Sequence, residues 1–178
     1  MTPFRRKQLM GIACVVPAVI VVALTLDHAR VLFAFLPLPL DDLSHRLSFA
    51  LRWMLLPGVC LLLGVIAAAR RGFVPDAIDG TRTPASPSLE INLRYNQNTL
   101  EQVVLACIAW TSLAISLPIA QLTLIPAMAS LFAVGRGAFW IGYLIHPMGR
   151  VFGMVITVLP TVASFVWLLW HWSQVYSI

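Results

Sequence analysis

The chain has 178 residues, of which 60% are hydrophobic and only 11% charged, and its mean hydropathy is +0.87. Such a balance excludes a soluble globular domain and describes one integral membrane bundle. The formal net charge of +5 is the basic excess expected at membrane edges; no stacking aromatics interleave with it, so no nucleic-acid partner is expected.

A membrane-spanning helix needs about 20 mostly apolar residues, and five runs qualify: residues 8–26, 47–69, 100–118, 122–145 and 151–172. The first follows the basic triplet Arg5, Arg6, Lys7, as a signal peptide would. Its apolar stretch exceeds the usual ~7–15 residues, and Asp27-His28-Ala29 lacks the small-x-small cleavage pattern, which favours a retained anchor. Both readings leave the N-terminus in the cytoplasm. The outer loop 27–46 contains an apolar stretch, residues 31–40, too short to cross and broken by Pro37 and Pro39; it is expected to lie in the interface or cap the bundle. Arg52, early in the second run, can snorkel back to the same outer face.

The loop 72–88 carries Pro75, Gly80, Pro84 and Pro87 and reads as irregular and cytosolic. With five spans and the N-terminus inside, the cytoplasmic side receives Arg5, Arg6, Lys7, Arg70, Arg71, Arg82, Arg94, Arg136 and Arg150, and the outside mainly Arg30 and Arg46. The expected location is therefore a multi-pass membrane position, the inner membrane in a bacterial host, with the C-terminus outside. Trp53, Trp140, Trp167, Trp170 and Trp172 sit towards run ends, as in an interfacial aromatic belt. Cys14, Cys60 and Cys107 stand singly within apolar runs and read as packing residues. His28, His45, His146 and His171 are scattered, so no metal site is expected.

Against this background the polar residues near the spans stand out, because charge in a membrane helix costs roughly 2.5–3.5 kcal/mol at the centre and marks a functional site by default. Arg94, Asn98 and Glu101 are spaced i, i+4, i+7 and share one helix face, flanked by Asn96 and Gln97. They could equally be a helix cap with an internal Arg94–Glu101 network that orders the bundle. Arg136 and Tyr143 repeat the i, i+7 spacing; Pro147 sets up the turn into the last helix, which Arg150 opens. Arg70, Arg71, Arg94, Arg136 and Arg150 thus gather at one rim with Glu101 as the nearby carboxylate. Such an excess calls for an anion, either a carboxylate held by an Arg fork or anionic lipid headgroups.

Three elements in order carry a resemblance: Arg70-Arg71-Gly72-Phe73 leaving a span, the segment Glu90 to Glu101 containing R-x-x-x-N-x-x-E, and Arg136 followed by Y-x-x-x-x-x-x-R at Tyr143 and Arg150. From about Leu47 to the C-terminus the chain resembles the membrane-associated proteins in eicosanoid and glutathione metabolism, which include microsomal glutathione transferases and leukotriene C synthase. The resemblance implies a four-helix membrane domain over 47–178, preceded by an added transmembrane anchor and outer loop over 1–46. It also implies a homotrimer with glutathione as co-substrate in the crevice between subunits. Arg70, Arg94, Asn96, Asn98, Glu101, Arg136 and Tyr143 would hold the tripeptide, Arg71 would lie near its reacting end, and Arg150 would face the sulfur. Phe139 stands where relatives carry Tyr or His, and Ile91 replaces an Arg of the E-R-V-x-R form, so ligand contacts are fewer or rearranged.

The implied function is conjugation of glutathione thiolate to a lipophilic electrophile, with reduction of lipid hydroperoxides as a companion activity and detoxification as its purpose. Some family members bind lipids without catalysis, which keeps a lipid-binding or scaffolding protein as a second expectation. A small transporter is a weaker third, because no inverted repeat is present and the polar groups gather at one face instead of the midplane.

Overall fold

A computed structural model describes residues 2–75, 77–79 and 86–175, all of whose regular structure is helical. Gly80, Arg82 and Pro84 of the expected loop lie outside the described residues. Seven α-helices follow in order: α1 (Pro3–Asp27), α2 (Ala29–Leu32), α3 (Leu43–Trp53), α4 (Leu55–Ala69), α5 (Pro87–Ser116), α6 (Leu124–Ile145) and α7 (Arg150–Val175). Five helical stretches, residues 8–27, 43–73, 87–116, 119–145 and 150–175, are long and apolar enough to cross a membrane.

Two boundaries differ from the hydropathy reading. The second span is two helices, α3 and α4, joined at Met54, which caps both. Pro57 causes the break: it has no N–H to give, and its ring crowds the carbonyl four residues back, at Trp53. The third span begins at Pro87, well before the apolar run. Proline is preorganised for a first helical turn and Glu90 complements its dipole, while Glu90–Arg94 and Gln97–Glu101 hydrogen bonds one turn apart support the polar half.

The helices alternate in direction, so each end of the bundle collects particular termini. At one end Arg70, after α4, donates to Ser88 at the start of α5 (2.7 Å), and the α6–α7 turn brings Met148 against Gly11 of α1. At the other end Arg46 of α3 holds the finish of α5. Its Nη1 donates to the carbonyls of Ala114 (3.0 Å), Ile115 (3.4 Å) and Leu117 (2.7 Å), and its Nε and Nη2 donate to Asp41 (2.9 and 2.6 Å). These are orphan carbonyls of a helix C-terminus, satisfied by a cation that also suits the dipole. Beside it, Asp42 caps α3 by accepting from the His45 N–H (3.0 Å), and that bond holds its carboxyl below the usual carboxylate range.

The main core fills the half of the bundle near Arg46. Trp110, Phe132, Ile125 and Leu122 are fully buried there, with Trp110 edge-on to Phe132 at 6.1 Å. Helix α1 lies chiefly against α7; its buried Ala18 and Val22 join Leu131 and Ile156 in a second cluster. Helices α6 and α7 approach so closely that a Cβ at Gly153 would run into the Phe139 nitrogen and the Gly135 carbonyl, and one at Gly142 into the backbone of Gly149. Backbone cannot move aside, and small residues are what permit such contact in membrane bundles.

Replacing Arg46 with Ala should lower stability by about 2–3 kcal/mol, because three carbonyls lose a charged donor. Asp41→Asn should cost about 1 kcal/mol or less, since that partner is exposed. Thermal unfolding in detergent measures both; equal shifts would show that the pair, and not the carbonyl clamp, is what Arg46 supplies.

Candidate functional site

The polar residues named from the sequence converge only in part. A groove of about 290 Å³ at the α5–α6–α7 end is lined by Arg94, Gln97, Asn98 and Glu101 of α5, Phe139 and Tyr143 of α6, and Arg150 and Met154 of α7. The i, i+4, i+7 spacing on α5 and the i+7 spacing from Tyr143 across the turn put these groups on facing surfaces. The turn itself depends on Gly142 and Gly149, whose contact lets α7 start directly beside the end of α6.

Within the groove the charges are arranged as follows. The Arg150 guanidinium stacks over the Tyr143 ring, 4.6 Å from its centroid, a cation–π contact that fixes the side chain without neutralising it. Arg150 is also the first residue of α7, so the positive end of that helix dipole adds to the potential at the same spot. Glu101 accepts from Gln97 Nε2 (3.0 Å). Arg94 does not pair with Glu101: its Nε and Nη2 donate to Glu90 one turn back (2.9 and 2.7 Å), so the Arg94–Glu101 network raised as the alternative to a binding site is not formed.

Arg136 lies beneath the groove and is entirely buried. Its Nη1 donates to Asn98 Oδ1 (2.8 Å) and its Nε to Thr157 Oγ1 (3.2 Å), with Thr99 Oγ1 at 3.5 Å. The rings of Phe139 and Phe132 stand 4.8 and 5.6 Å from the guanidinium carbon. Nη2 has no partner among the described residues. Asn98 therefore joins the buried cation to the groove wall.

The remaining sequence candidates are elsewhere in this chain. Arg70 is bonded to Ser88 and Arg71 donates to the Ala77 carbonyl (3.3 Å), both beyond α4 and outside the groove. Asn96 turns towards α4, where its buried Oδ1 has no partner among the described residues and a Cβ on Gly64 would lie 3.1 Å away. Sequence reasoning overlooked a further layer on that side: Tyr95 donates to the Cys60 carbonyl (3.1 Å) and stacks on Trp140 (4.6 Å between centroids), while Trp140 donates to Asn92 (2.9 Å). Trp140 thus knits α5 to α6 instead of serving only as an interfacial anchor. The spacing Asn92, Tyr95, Thr99, Gln102 at every third or fourth residue was the available signal for this buried face.

Comparison with known proteins agrees with this architecture. The model of the MAPEG family matches residues 48–170. The chain belongs to the MAPEG family. It is thus an all-α, multi-pass integral membrane protein of that family, and α1 and α2 lie outside the matched residues. Among curated proteins the chain is similar to "Transmembrane protein 79" of Mus musculus, 28% identical over 169 residues that cover 93% of this chain and 42% of the relative. It is similar also to "Transmembrane protein 79" of Bos taurus, 27% identical over 165 residues, 91% of this chain and 41% of the relative. The chain spans less than half the length of these relatives. No solved structure matches.

The coupling of Arg136 to Asn98 is open to a double-mutant cycle. Asn98→Leu should destabilise the protein by about 1–3 kcal/mol, because it takes from a buried charge the oxygen that accepts its Nη1 hydrogen bond. Adding Arg136→Met should recover most of that loss, as apolar replacement of a buried charge commonly does. If the two changes merely add in detergent unfolding, the residues do not act as a unit.

Proposed function

We propose that this chain is a membrane-bound glutathione-dependent transferase that conjugates the glutathione thiolate to lipophilic electrophiles, with glutathione-dependent reduction of lipid hydroperoxides as a companion activity. The observation that carries this reading is the groove, where the Glu101 carboxylate, the Arg94 and Arg150 guanidinium groups, the Asn98 amide and the Tyr143 phenol surround one cavity in a chain with 11% charged residues. Glutathione presents one ammonium, two carboxylates and a thiol, and this set offers a counterpart to the ammonium, to one carboxylate and to the thiol. Glu101 would accept the ammonium, Arg94 would take a carboxylate as a two-pronged donor, and Arg150 would face the sulfur.

The groove's volume lies at the low end of the ~300–1,000 Å³ usual for ligand sites, which supports a half-site completed by another copy of the chain. In the homotrimer that we propose, Arg70, Arg71 and Asn96, which do not line the groove of their own chain, would approach the ligand from a neighbour. The 1–46 segment would form the added anchor and 47–178 the glutathione-binding domain. With the N-terminus in the cytoplasm and the C-terminus outside, the groove would open at the cytosolic face, in the inner membrane of a bacterial host.

The required chemistry is modest. A thiol of ordinary pKa near 8.5 is about 3% ionised at pH 7, and lowering that value by two units takes roughly 2.7 kcal/mol. One guanidinium about 4 Å from the sulfur, at an effective dielectric near 20, supplies up to about 4 kcal/mol before desolvation. Arg150 would stabilise charge without moving a proton. Attack on an aryl halide then forms a sulfur–carbon bond as halide departs.

A second reading, a lipid-binding or scaffolding membrane protein, draws support from the Arg94–Glu90 pairing and from Phe139, which offers a ligand no hydrogen bond. Titration calorimetry separates the two: saturable glutathione binding that weakens at least about tenfold in Glu101→Gln fits the transferase, as loss of a charged contact should. Absence of binding leaves the lipid reading.

For the chemistry itself, Arg150→Ala should reduce turnover of glutathione with a chromogenic aryl halide at least about tenfold at pH 7. The deficit should narrow above about pH 9, where the thiol ionises unaided. An unchanged rate at pH 7 removes Arg150 from the reaction.

A further inference from the structure

A second cavity, about 750 Å³, lies between α1 and the start of α7 and shares no lining residue with the polar groove. Ile12 and Val15 of α1 face Met148 and Val151 across it, and its polar side chains, Arg5 and Gln8, both come from the N-terminal end of α1. The two sides touch at Gly11, where a Cβ would lie 3.0 Å from Met148 Cε, and α1 is secured further along by Ala18 and Val22. One wall of the trough is therefore a helix outside the residues matched by the family model.

Its chemistry is divided along its length. The trough is apolar and faces outward, with Leu9 and Ile12 54% and 61% exposed. Arg5 stands at its end, and among the described residues its guanidinium has no hydrogen bond or ion pair, nor is there an acid in the first turn of α1. An apolar trough is not a stable place for water, which needs several polar partners. A neutral apolar ligand would leave the cation unanswered. A molecule with a long hydrocarbon tail and an anionic head satisfies both parts, since basic side chains beside a membrane helix attract anionic headgroups.

We propose that the α1–α7 groove binds one anionic phospholipid, with an acyl chain along Ile12, Val15, Met148 and Val151 and the phosphate on Arg5. Because Met148 and Val151 flank Arg150, the bound lipid braces the α6–α7 turn from the α1 side. This site is independent of the glutathione reading and survives or fails separately from it.

Native mass spectrometry of the full chain, exchanged into detergent with equimolar phosphatidylglycerol and phosphatidylcholine, tests it. One phosphatidylglycerol per chain should be retained in preference to phosphatidylcholine. Arg5→Gln should reduce that retention about fivefold, whereas Arg6→Gln, which alters a neighbouring residue outside the groove, should leave it unchanged. Val15→Trp, which fills the trough, should reduce retention while elution volume and melting temperature stay as in the parent. Should Val15→Trp fail to fold, phosphatidylglycerol with six-carbon chains replaces it and should be retained far less than the eighteen-carbon form. Equal retention of the two headgroups, equal losses in Arg5→Gln and Arg6→Gln, or indifference to both Val15→Trp and chain length would each overturn the site.

Discussion

Inside a bundle of apolar helices sits a guanidinium with no exposed surface, and much of the surrounding sequence is arranged to tolerate it. Arg136 remains charged in practice, so its burial would be prohibitive without acceptors close at hand, and two of its three nitrogens, Nε and Nη1, have them. Those partners come from two neighbouring helices: Asn98 and Thr99 on α5 and Thr157 on α7. Thr157 in turn donates its hydroxyl proton to the Gly153 carbonyl (2.7 Å), which leaves its oxygen free to accept from Arg136. The geometry works only because α6 and α7 are nearly in backbone contact. A Cβ at Gly135 would sit 2.6 Å from Thr157 Oγ1, so glycine there is what lets the hydroxyl come within reach.

The groove inherits its order from that buried cation. Asn98 belongs to both, its oxygen fixed by Arg136 while the residue lines the cavity wall. Phe139 also serves twice, as a face for the guanidinium and as groove lining, and it meets the Tyr143 ring edge-on at 5.9 Å. Tyr143 then carries Arg150. A chain of contacts thus runs from the hydrophobic interior to the one cation that opens α7, and each link is a side chain whose position is set by packing. Preorganisation of this kind allows charge to be stabilised without rearrangement when a ligand's charge appears.

Much of this was legible in the sequence, and what was not failed for physical reasons. Hydropathy alone located five spans, because burying a backbone in lipid demands long apolar helices. It missed the first half of α5, since a helix held by Glu90–Arg94 and Gln97–Glu101 pairs looks like a loop to any average of hydrophobicity. It also missed the break at Met54, where the informative residue was a single proline among leucines. For the site, helical spacing put Arg94, Asn98 and Glu101 on one helix face, and these residues line one groove with Tyr143 and Arg150. Spacing could not say which partner each charge would choose: Glu90 and Glu101 are both within a helical turn or two of Arg94, and the nearer one, at i−4, took it. Nor could it reveal that Asn96, two residues from Asn98, must point to α4, or that Arg46 would be spent on the carbonyls ending α5.

The arginines differ in how far they are free to meet a ligand, and exposure decides the order. Arg46 and Arg136 are committed: one is only 12% exposed and closes a helix end, the other is sealed among aromatic rings. Arg94 is 61% exposed and its partner Glu90 40%. An exposed pair within one helix is weak because water screens it and two long side chains must be held in one pose. A ligand carboxylate that offers Arg94 a planar two-oxygen acceptor in a less hydrated groove can displace Glu90, which then returns to solvent at little cost. Arg150, held among the described residues by the Tyr143 ring face, needs no such exchange. The groove therefore has one cation available at once and one released by competition, beside one carboxylate, Glu101, whose partner among the described residues is the neutral Gln97. That asymmetry suits the zwitterion proposed as ligand, which has more acid than base, and selectivity for it would reside in the release of Arg94.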